Sequence, residues 1–266
     1  MPERKLEPND ILWDDLYEEG PRGGDRPKEA HPVICERFMR CGPIYEYKGF
    51  AIKYFVEERE VEMTALAGDC SVKVHGHIVK FDVGPDQKPR KVGLVMEVAK
   101  PLLDYAKNAD ESEKHRIKAE MIAVVERLHT KYNMVHGDIK PQNFLICKDN
   151  KIRLCDFEGS RPESESAETW EGLEELGLNR AYTENYMNGK RNQFVPPTRE
   201  DDWYALAISI WEIYSGKMPF EDMNGVSEDK MTLHHQSGQT VDLTEVKDIE
   251  TREWIRGILR KGGASV

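Results

Sequence analysis

No run of this 266-residue chain stays apolar for long enough to cross a bilayer. The most hydrophobic stretch, YALAISIWEIY (Tyr204 to Tyr214), stops well short of the roughly 20 residues a spanning helix needs. The opening MPERKLEPNDILWDDLYEEG lacks the apolar core of a secretory leader. Both absences point to a cytoplasmic or nuclear protein without a membrane partner. Cysteine is sparse. Cys35, Cys41, Cys70, Cys147 and Cys155 are odd in number and never in CxxC spacing, so reduced, mostly buried thiols are expected rather than a disulfide framework. A zinc site from Cys35, Cys41, His75 and His77 is disfavoured by their spacing, and the adjacent His234 and His235 lie in a polar segment and read as surface residues. An excess of positive charge is missing too. The 38 Lys and Arg face 49 Asp and Glu, and the net charge of -11 argues against a general nucleic-acid binder. No internal repeat is visible.

What remains is a globular composition, 39% hydrophobic and 33% charged, long enough for one large domain or two small lobes. Residues 1–31 are rich in Pro, Gly and acid and read as an N-terminal extension, with Ile11, Leu12, Trp13, Leu16 and Tyr17 as an apolar cluster able to dock on the main body. Residues 32–98 concentrate β-formers (VICERF, IYEYKGFAIKYF, SVKVHGHIVKF, KVGLVMEVA) around the turn signals Cys41-Gly42-Pro43 and Lys48-Gly49, which predicts a small antiparallel sheet. One short helix interrupts it, with Val61, Ala65 and Leu66 as its apolar positions and Gly68 closing it. Residues 99–266 read as mostly helical. A capping box at Asp110 and Glu113 opens a helix whose apolar face is Ile117, Met121, Val124, Val125 and Leu128. Two short strands follow, with Asp149-Asn150 as a tight turn, and the stretch from Asp201 to Gly216 is apolar enough to be a fully buried helix. The predicted fold class is therefore α+β, a β-rich lobe followed by a helical lobe.

Between the two strands and the helix before them lies the chemistry. His136-Gly137-Asp138-Ile139-Lys140-Pro141-Gln142-Asn143, followed by Cys155-Asp156-Phe157-Glu158, resembles the catalytic loop and metal-binding motif of eukaryotic-type protein kinases of the serine/threonine class. Upstream, Ala51-Ile52-Lys53 resembles the family's nucleotide-binding strand and Val95-Met96-Glu97-Val98-Ala99 its hinge between lobes. The resemblance covers roughly residues 32–220 and implies a two-lobed kinase-like fold, its helical lobe reduced at the C-terminal end, using ATP and Mg2+. It implies that Lys53 neutralises phosphates while paired with Glu62, for which Glu60 is a rival. Leu66, one turn after Glu62, favours Glu62. It also implies adenine bound by the backbone of Glu97 and Ala99, beside Met96, between the apolar surfaces of Ala51 and Leu145. Asp138 would then take the acceptor proton, Lys140 would offset charge on the moving phosphoryl group, and Asn143 and Asp156 would hold magnesium. Asp202 is implied as a structural anchor of the catalytic loop.

Three departures stand out from the family pattern. The turn Phe38 to Pro43 has one glycine where a glycine-rich phosphate cover is expected, and Gly20, Gly23 and Gly24 lie too far upstream to supply it. Gly137 replaces an arginine that commonly receives an activation-loop phosphate, which implies activity without that phosphate. Glu158 replaces the glycine after Asp156-Phe157. The acidic run from Glu163 to Glu175, with Ser164, Ser166 and Thr169, imitates a phosphorylated segment or attracts a basic protein substrate. The HGD and DFE variants are similar to those of compact kinase-like sequences from fungi. Tyr182-Thr183-Glu184-Asn185 is the best match to the family's Ala-Pro-Glu segment, with Arg256 as a partner for Glu184. The expected function is ATP-dependent phosphorylation of serine or threonine in a protein. The alternatives are a pseudokinase acting as a scaffold and a small-molecule phosphotransferase of the aminoglycoside type.

Overall fold

The computed structural model describes residues 9–19, 25–27, 33–35, 44–81, 89–166, 169, 183–188, 195–221 and 237–266. The chain divides into two compact units, Met1–Ala99 with Cys147–Asp149 and Lys100–Ile146 with Asn150–Val266. Among the described residues no helix is long and apolar enough to cross a membrane. No group of three or more His, Cys, Asp or Glu among them is placed to hold a metal ion. Cys70, Cys147 and Cys155 are buried free thiols. Cys41, the turn from Phe38 to Pro43, Gly20, Gly23, Gly24, Tyr182, the later part of the acidic run and the His234-His235 pair lie outside the described residues.

The first unit contains β1 (Ile11–Leu12), α1 (Trp13–Leu16), β2 (Tyr17–Glu19), β3 (Asp25–Pro27), β4 (Val33–Cys35), β5 (Ile44–Tyr47), β6 (Phe50–Tyr54), α2 (Glu58–Leu66), β7 (Val74–Phe81) and β8 (Pro89–Glu97). Six strands form one sheet in the order β1-β7-β8-β6-β5-β4, and β2 and β3 form a separate hairpin. Lys48 and Gly49 join β5 to β6 as a two-residue turn with φ of 50° and 79°, the left-handed geometry that matches strand twist. Pairing is antiparallel throughout the six-stranded sheet except at β1, which runs parallel to β7 with Ile11 opposite Ile78 and Leu12 opposite Val79. The segment expected as an extension is thus partly built into the sheet, and Trp13 and Leu16 are buried in a core with Ile52, Tyr54, Ile78 and Val95.

Helix α2 departs from its expected face. Val61 is buried, but Ala65 and Leu66 are exposed, and the inward positions are Glu60, Val61, Met63, Thr64 and the following Ala67. Spacings of three and four place Glu60, Met63, Thr64 and Ala67 on one side. Counting apolar residues alone misses this because a charged glutamate is among the inward residues.

The second unit contains β9 (Lys100–Pro101), α3 (Leu102–Ala106), α4 (Glu111–Lys131), β10 (Met134–Val135), β11 (Phe144–Ile146), β12 (Ile152–Leu154), β13 (Arg161–Pro162), α5 (Arg199–Ser215) and α6 (Ile249–Lys261). Ile117, Met121, Val124, Val125 and Leu128 are all buried along α4, as its periodicity predicts. Its cap is one-armed: Asp110 accepts from the Glu113 N–H, but the Glu113 carboxylate turns to Arg116 at 2.6 Å. Strands β11 and β12 pair as expected, joined by residues 147–151 rather than by Asp149-Asn150 alone, with Asn150 at φ 61°. Helix α5 starts at a full capping box between Thr198 and Asp201 and stops at Gly216, at φ 69°. Each fully buried Leu or Ile contributes about 1.5–3 kcal/mol. Leu206, Ile208 and Ile210, all completely buried, make α5 the axis of this unit. Arg256 does not reach Glu184; it bonds Glu253 within α6.

Candidate active site

The loop from His136 to Asn143 leaves β10 and returns through a 3-10 turn (Pro141–Asn143) into β11. A buried carboxylate holds its backbone. Asp202 accepts the peptide N–H of His136 at 2.8 Å and of Gly137 at 2.9 Å, and lies 2.8 Å from His129 Nε2. Because Thr198 and Asp201 cap α5, both Asp202 oxygens are left for the loop. Burial pushes the Asp202 carboxyl up, but the His129 hydrogen bond and charge, with the donors at His136, hold it below the usual range. His136 is the opposite case. Desolvation lowers its pKa against the pull of Asp202, Asp138 and Asp156, so the ring is neutral. Its Nδ1 accepts the Asp138 N–H at 3.3 Å, which assigns the proton to Nε2, 3.2 Å from the Cys155 carbonyl. Phe157, fully buried, packs against the same ring at 4.9 Å. Gly137 sits at φ +81°, where a Cβ would stand 2.5 Å from the Gly159 carbonyl oxygen. An arginine there would force the two loops apart.

Four side chains converge in front of this loop. Asp138 accepts from Thr183 Oγ1 at 2.9 Å on one oxygen and from Lys140 Nζ at 2.6 Å on the other. Lys140 Nζ also donates to Thr183 Oγ1 at 2.8 Å. Asn143 Nδ2 donates to the Asp138 carbonyl at 2.8 Å and to its carboxylate at 3.2 Å. Thr183 was missed as a site residue by the sequence reading. Its only signal was adjacency to Glu184 in the segment compared with Ala-Pro-Glu.

The opposite end of the Asn143 amide points to a cation. Asn143 is completely buried and its Oδ1 has no hydrogen-bond partner. Such an acceptor costs about 1–3 kcal/mol if nothing covers it, and an amide oxygen is a suitable ligand for a hard cation such as magnesium. The Cys155 N–H donates to the Asn143 carbonyl at 2.9 Å, which ties the Asn143 turn to the residue preceding Asp156. Asp156 itself is half-buried at φ +71°, an uncommon geometry for a residue with a side chain. The buried Asn143 oxygen is thus of the chemistry expected of a magnesium ligand.

In the first unit Lys53 pairs with Glu60, not with Glu62. The Nζ to Oε1 distance is 2.6 Å and each side chain is only 3% exposed. Glu62 is exposed. Two residues along a helix turn the side chain by roughly 200°, so only one of the two glutamates can face the sheet. Thr64, which donates to the Glu60 carbonyl at 2.7 Å, takes the turn-later position that Leu66 was expected to fill. Ala51 and Met96 are direct cross-strand partners and both are buried. The Glu97 N–H is taken by the Lys73 carbonyl at 2.9 Å, and its carboxylate accepts from the N–H of Lys73 at 3.2 Å and of Lys148 at 3.4 Å. Ala99 is half-buried at the end of this unit, and Leu145 is half-buried on β11 in the second.

A family model for the protein kinase domain matches residues 45–261. The chain belongs to this family. Relatives include human receptor-interacting serine/threonine-protein kinase 1, 28% identical over 194 residues, covering 68% of this chain and 28% of the relative. Serine/threonine-protein kinase 1 of Lymantria dispar multicapsid nuclear polyhedrosis virus is 30% identical over 140 residues, covering 53% of this chain and 46% of the relative. The chain thus spans about a quarter to a half of the length of these relatives. Among solved structures, the Cydia pomonella granulovirus kinase PK-1 superposes with a TM-score of 0.57 at 20% identity, covering 82% of each chain. That likeness shows the two-lobed kinase-like fold.

One further buried acid belongs to the kinase domain's second unit. Tyr186 donates its hydroxyl to Glu212 of α5, and burial pushes the Glu212 carboxyl up to about 7 against the pull of that hydrogen bond. Burial raises the Tyr186 hydroxyl strongly as well, so it stays protonated. A carboxyl raised in the folded state adds stability that is complete below its ordinary value of 4.5 and fades as pH rises to about 7.

Two measurements check these assignments. In urea unfolding, Glu60→Gln leaves Lys53 buried without its counter-charge and is expected to cost about 3 kcal/mol, while Glu62→Gln stays within about 0.5 kcal/mol of wild type. Equal costs would return the pairing to an open question. Melting of Glu212→Gln against wild type is expected to show the variant gaining on wild type between pH 5 and pH 8, by up to about 3 kcal/mol. A gap independent of pH would mean that Glu212 ionises normally.

Proposed function

We propose that this kinase domain transfers the γ-phosphoryl group of ATP to serine or threonine hydroxyls of a protein substrate. The observation that carries the reading is the assembled set of Asp138, Lys140, Asn143 and Thr183, with the buried Asn143 oxygen left for a cation. Asp138 orients the acceptor hydroxyl and accepts its proton as the oxygen forms a bond to phosphorus and ADP leaves. Lys140, two residues on, offsets charge on the phosphoryl oxygens in flight, and this lysine is the reason for preferring serine and threonine over tyrosine. Lys53, held extended by Glu60, neutralises the nucleotide phosphates, while Ala51, Met96, Ala99, Leu145 and the Glu97 carbonyl serve the adenine. Magnesium, when bound at Asn143 and Asp156, supplies charge neutralisation at the phosphates. Little covalent work is left to the chain, so catalysis rests on positioning and preorganised charge.

The segment after β13 supports activity without activation-loop phosphorylation. Arg199 donates from Nη2 to the Glu163 carboxylate at 2.6 Å and pairs with it as an ion pair, and Arg161 bonds the carbonyls of Pro197 and Glu165 at 3.1 and 2.8 Å. A carboxylate already fills the role a phosphate takes elsewhere. The acidic composition of the run from Glu163 to Glu175 favours a basic substrate. Glu158, half-buried beside the proposed metal ligand Asp156, is the observation that keeps the scaffold reading as a competitor.

Thermal unfolding with ATP alone and with ATP plus magnesium separates the two. Ligand at about 100 times its Kd adds roughly 2.7 kcal/mol, and the shift is expected to require magnesium and to vanish in Asp156→Ala. Transfer from labelled ATP to a basic protein, but not to a small alcohol, is then expected. Glu158→Gly should retain it and Asp156→Ala should abolish it. No shift at millimolar nucleotide would give the scaffold reading the lead.

A further inference from the structure

We propose that the N-terminal segment from Asn9 to Leu16 is a positioning strap for Lys53, seated on the far side of the strand that carries it. The inference rests on the reading of Lys53 as the phosphate-binding lysine, and every contact it uses lies within the first unit. Side chains alternate along β6. Ala51 and Lys53 lie opposite Met96 and Leu94 on one face, where Glu60 of α2 meets Lys53. Ile52 and Tyr54 point to the other face and join Trp13, Leu16, Ile78 and Val95 in one buried cluster, with Phe50 packed against it. The strand is therefore held between α2 and the strap.

The seat of the strap is specific. Asp10 accepts the His77 N–H at 2.7 Å and lies 3.3 Å from its ring Nδ1. A Cβ on Gly76 would stand 2.4 Å from the Asn9 carbonyl oxygen, so the sheet has a gap where the strap backbone crosses. Trp13 meets the Tyr54 ring edge-on at 6.5 Å and lies beneath Lys80 Nζ at 4.9 Å. Trp13 is 4% exposed and Leu16 1%. Removing the indole would leave a large void directly behind Ile52 and Tyr54, the neighbours of Lys53 on both sides. Packed interiors do not deform smoothly, so the expected response is local opening of β6. That opening frees the lysine from Glu60 and costs the domain its grip on nucleotide.

The test uses the full chain, well below its melting temperature. Lys53 is labelled with an amine-directed reagent, with exposed Lys217 as the reference, and backbone hydrogen exchange is followed in β6 and, as a control, in α4. Trp13→Ala, and independently Gly76→Ala, which displaces the strap from the sheet side, are expected to raise Lys53 labelling and β6 exchange about fivefold or more while α4 is unchanged. Trp13→Phe should restore most of the protection. The apparent affinity for ATP should fall in the same variants with the KM for the acceptor protein unchanged. A lower Tm with Lys53 labelling and β6 exchange at wild-type rates would overturn the proposal and leave the strap a stabilising element only. Lys53 labelling that rises in Trp13→Ala while ATP affinity holds, both there and in Lys53→Met, would support the strap and instead remove Lys53 from the nucleotide site.

Discussion

The loop from His136 to Asn143 depends on one buried carboxylate. Asp202 sits in the first turn of α5 and accepts two consecutive peptide N–H groups from the loop, with His129 on its flank. Hydrogen bonds to a charged acceptor out of water are stronger than neutral ones, and leaving such a charge unpaired is costly. The loop cannot drift without stranding that charge. Everything the loop presents follows: His136 is locked as a neutral ring between Phe157 and the Cys155 carbonyl, and Asp138 projects toward Lys140, Asn143 and Thr183. The invariance of this arrangement to solvent is helped by α5 itself, whose buried apolar residues put Asp202 on a rigid rod.

Gly137 illustrates how a departure from the family pattern is accommodated. Its left-handed backbone and the Gly159 carbonyl leave no room for a side chain, so the cation that elsewhere sits beside the catalytic aspartate has no place here. Positive charge in this unit lies instead on Arg161 and Arg199, which bond the carbonyls of Glu165 and Pro197 and the Glu163 carboxylate. Charge pairing in this segment is internal to the polypeptide.

The candidate site residues of the second unit were legible in the sequence because they are nearly contiguous. Asp138, Lys140 and Asn143 fall within one short loop, and Asp156 follows after a hairpin whose strands were also visible. The Lys53 ion pair of the first unit was harder. Lys53 could be read from its strand, but choosing between Glu60 and Glu62 required the rotational phase of a nine-residue helix. Apolar spacing set that phase wrongly, because the side that packs inward contains Glu60 and Thr64 and leaves Leu66 in solvent. Thr183 was invisible as a ligand of Asp138 because nothing local distinguishes it from any other threonine.

By itself, the sequence determined the family, the order of a β-rich part before a helical part, the buried faces of α4 and α5, and the short motifs that carry the family resemblance. These follow from local spacing and from short motifs, which need no knowledge of what lies across the fold. Only the tertiary structure decided that Glu60 meets Lys53, that Thr183 completes the Asp138 cluster, that the Asn143 oxygen is left without a partner, and that the N-terminal segment joins the sheet in parallel. Each depends on groups distant in sequence or on helix phase, where burial and charge pairing across the fold outweigh local preference.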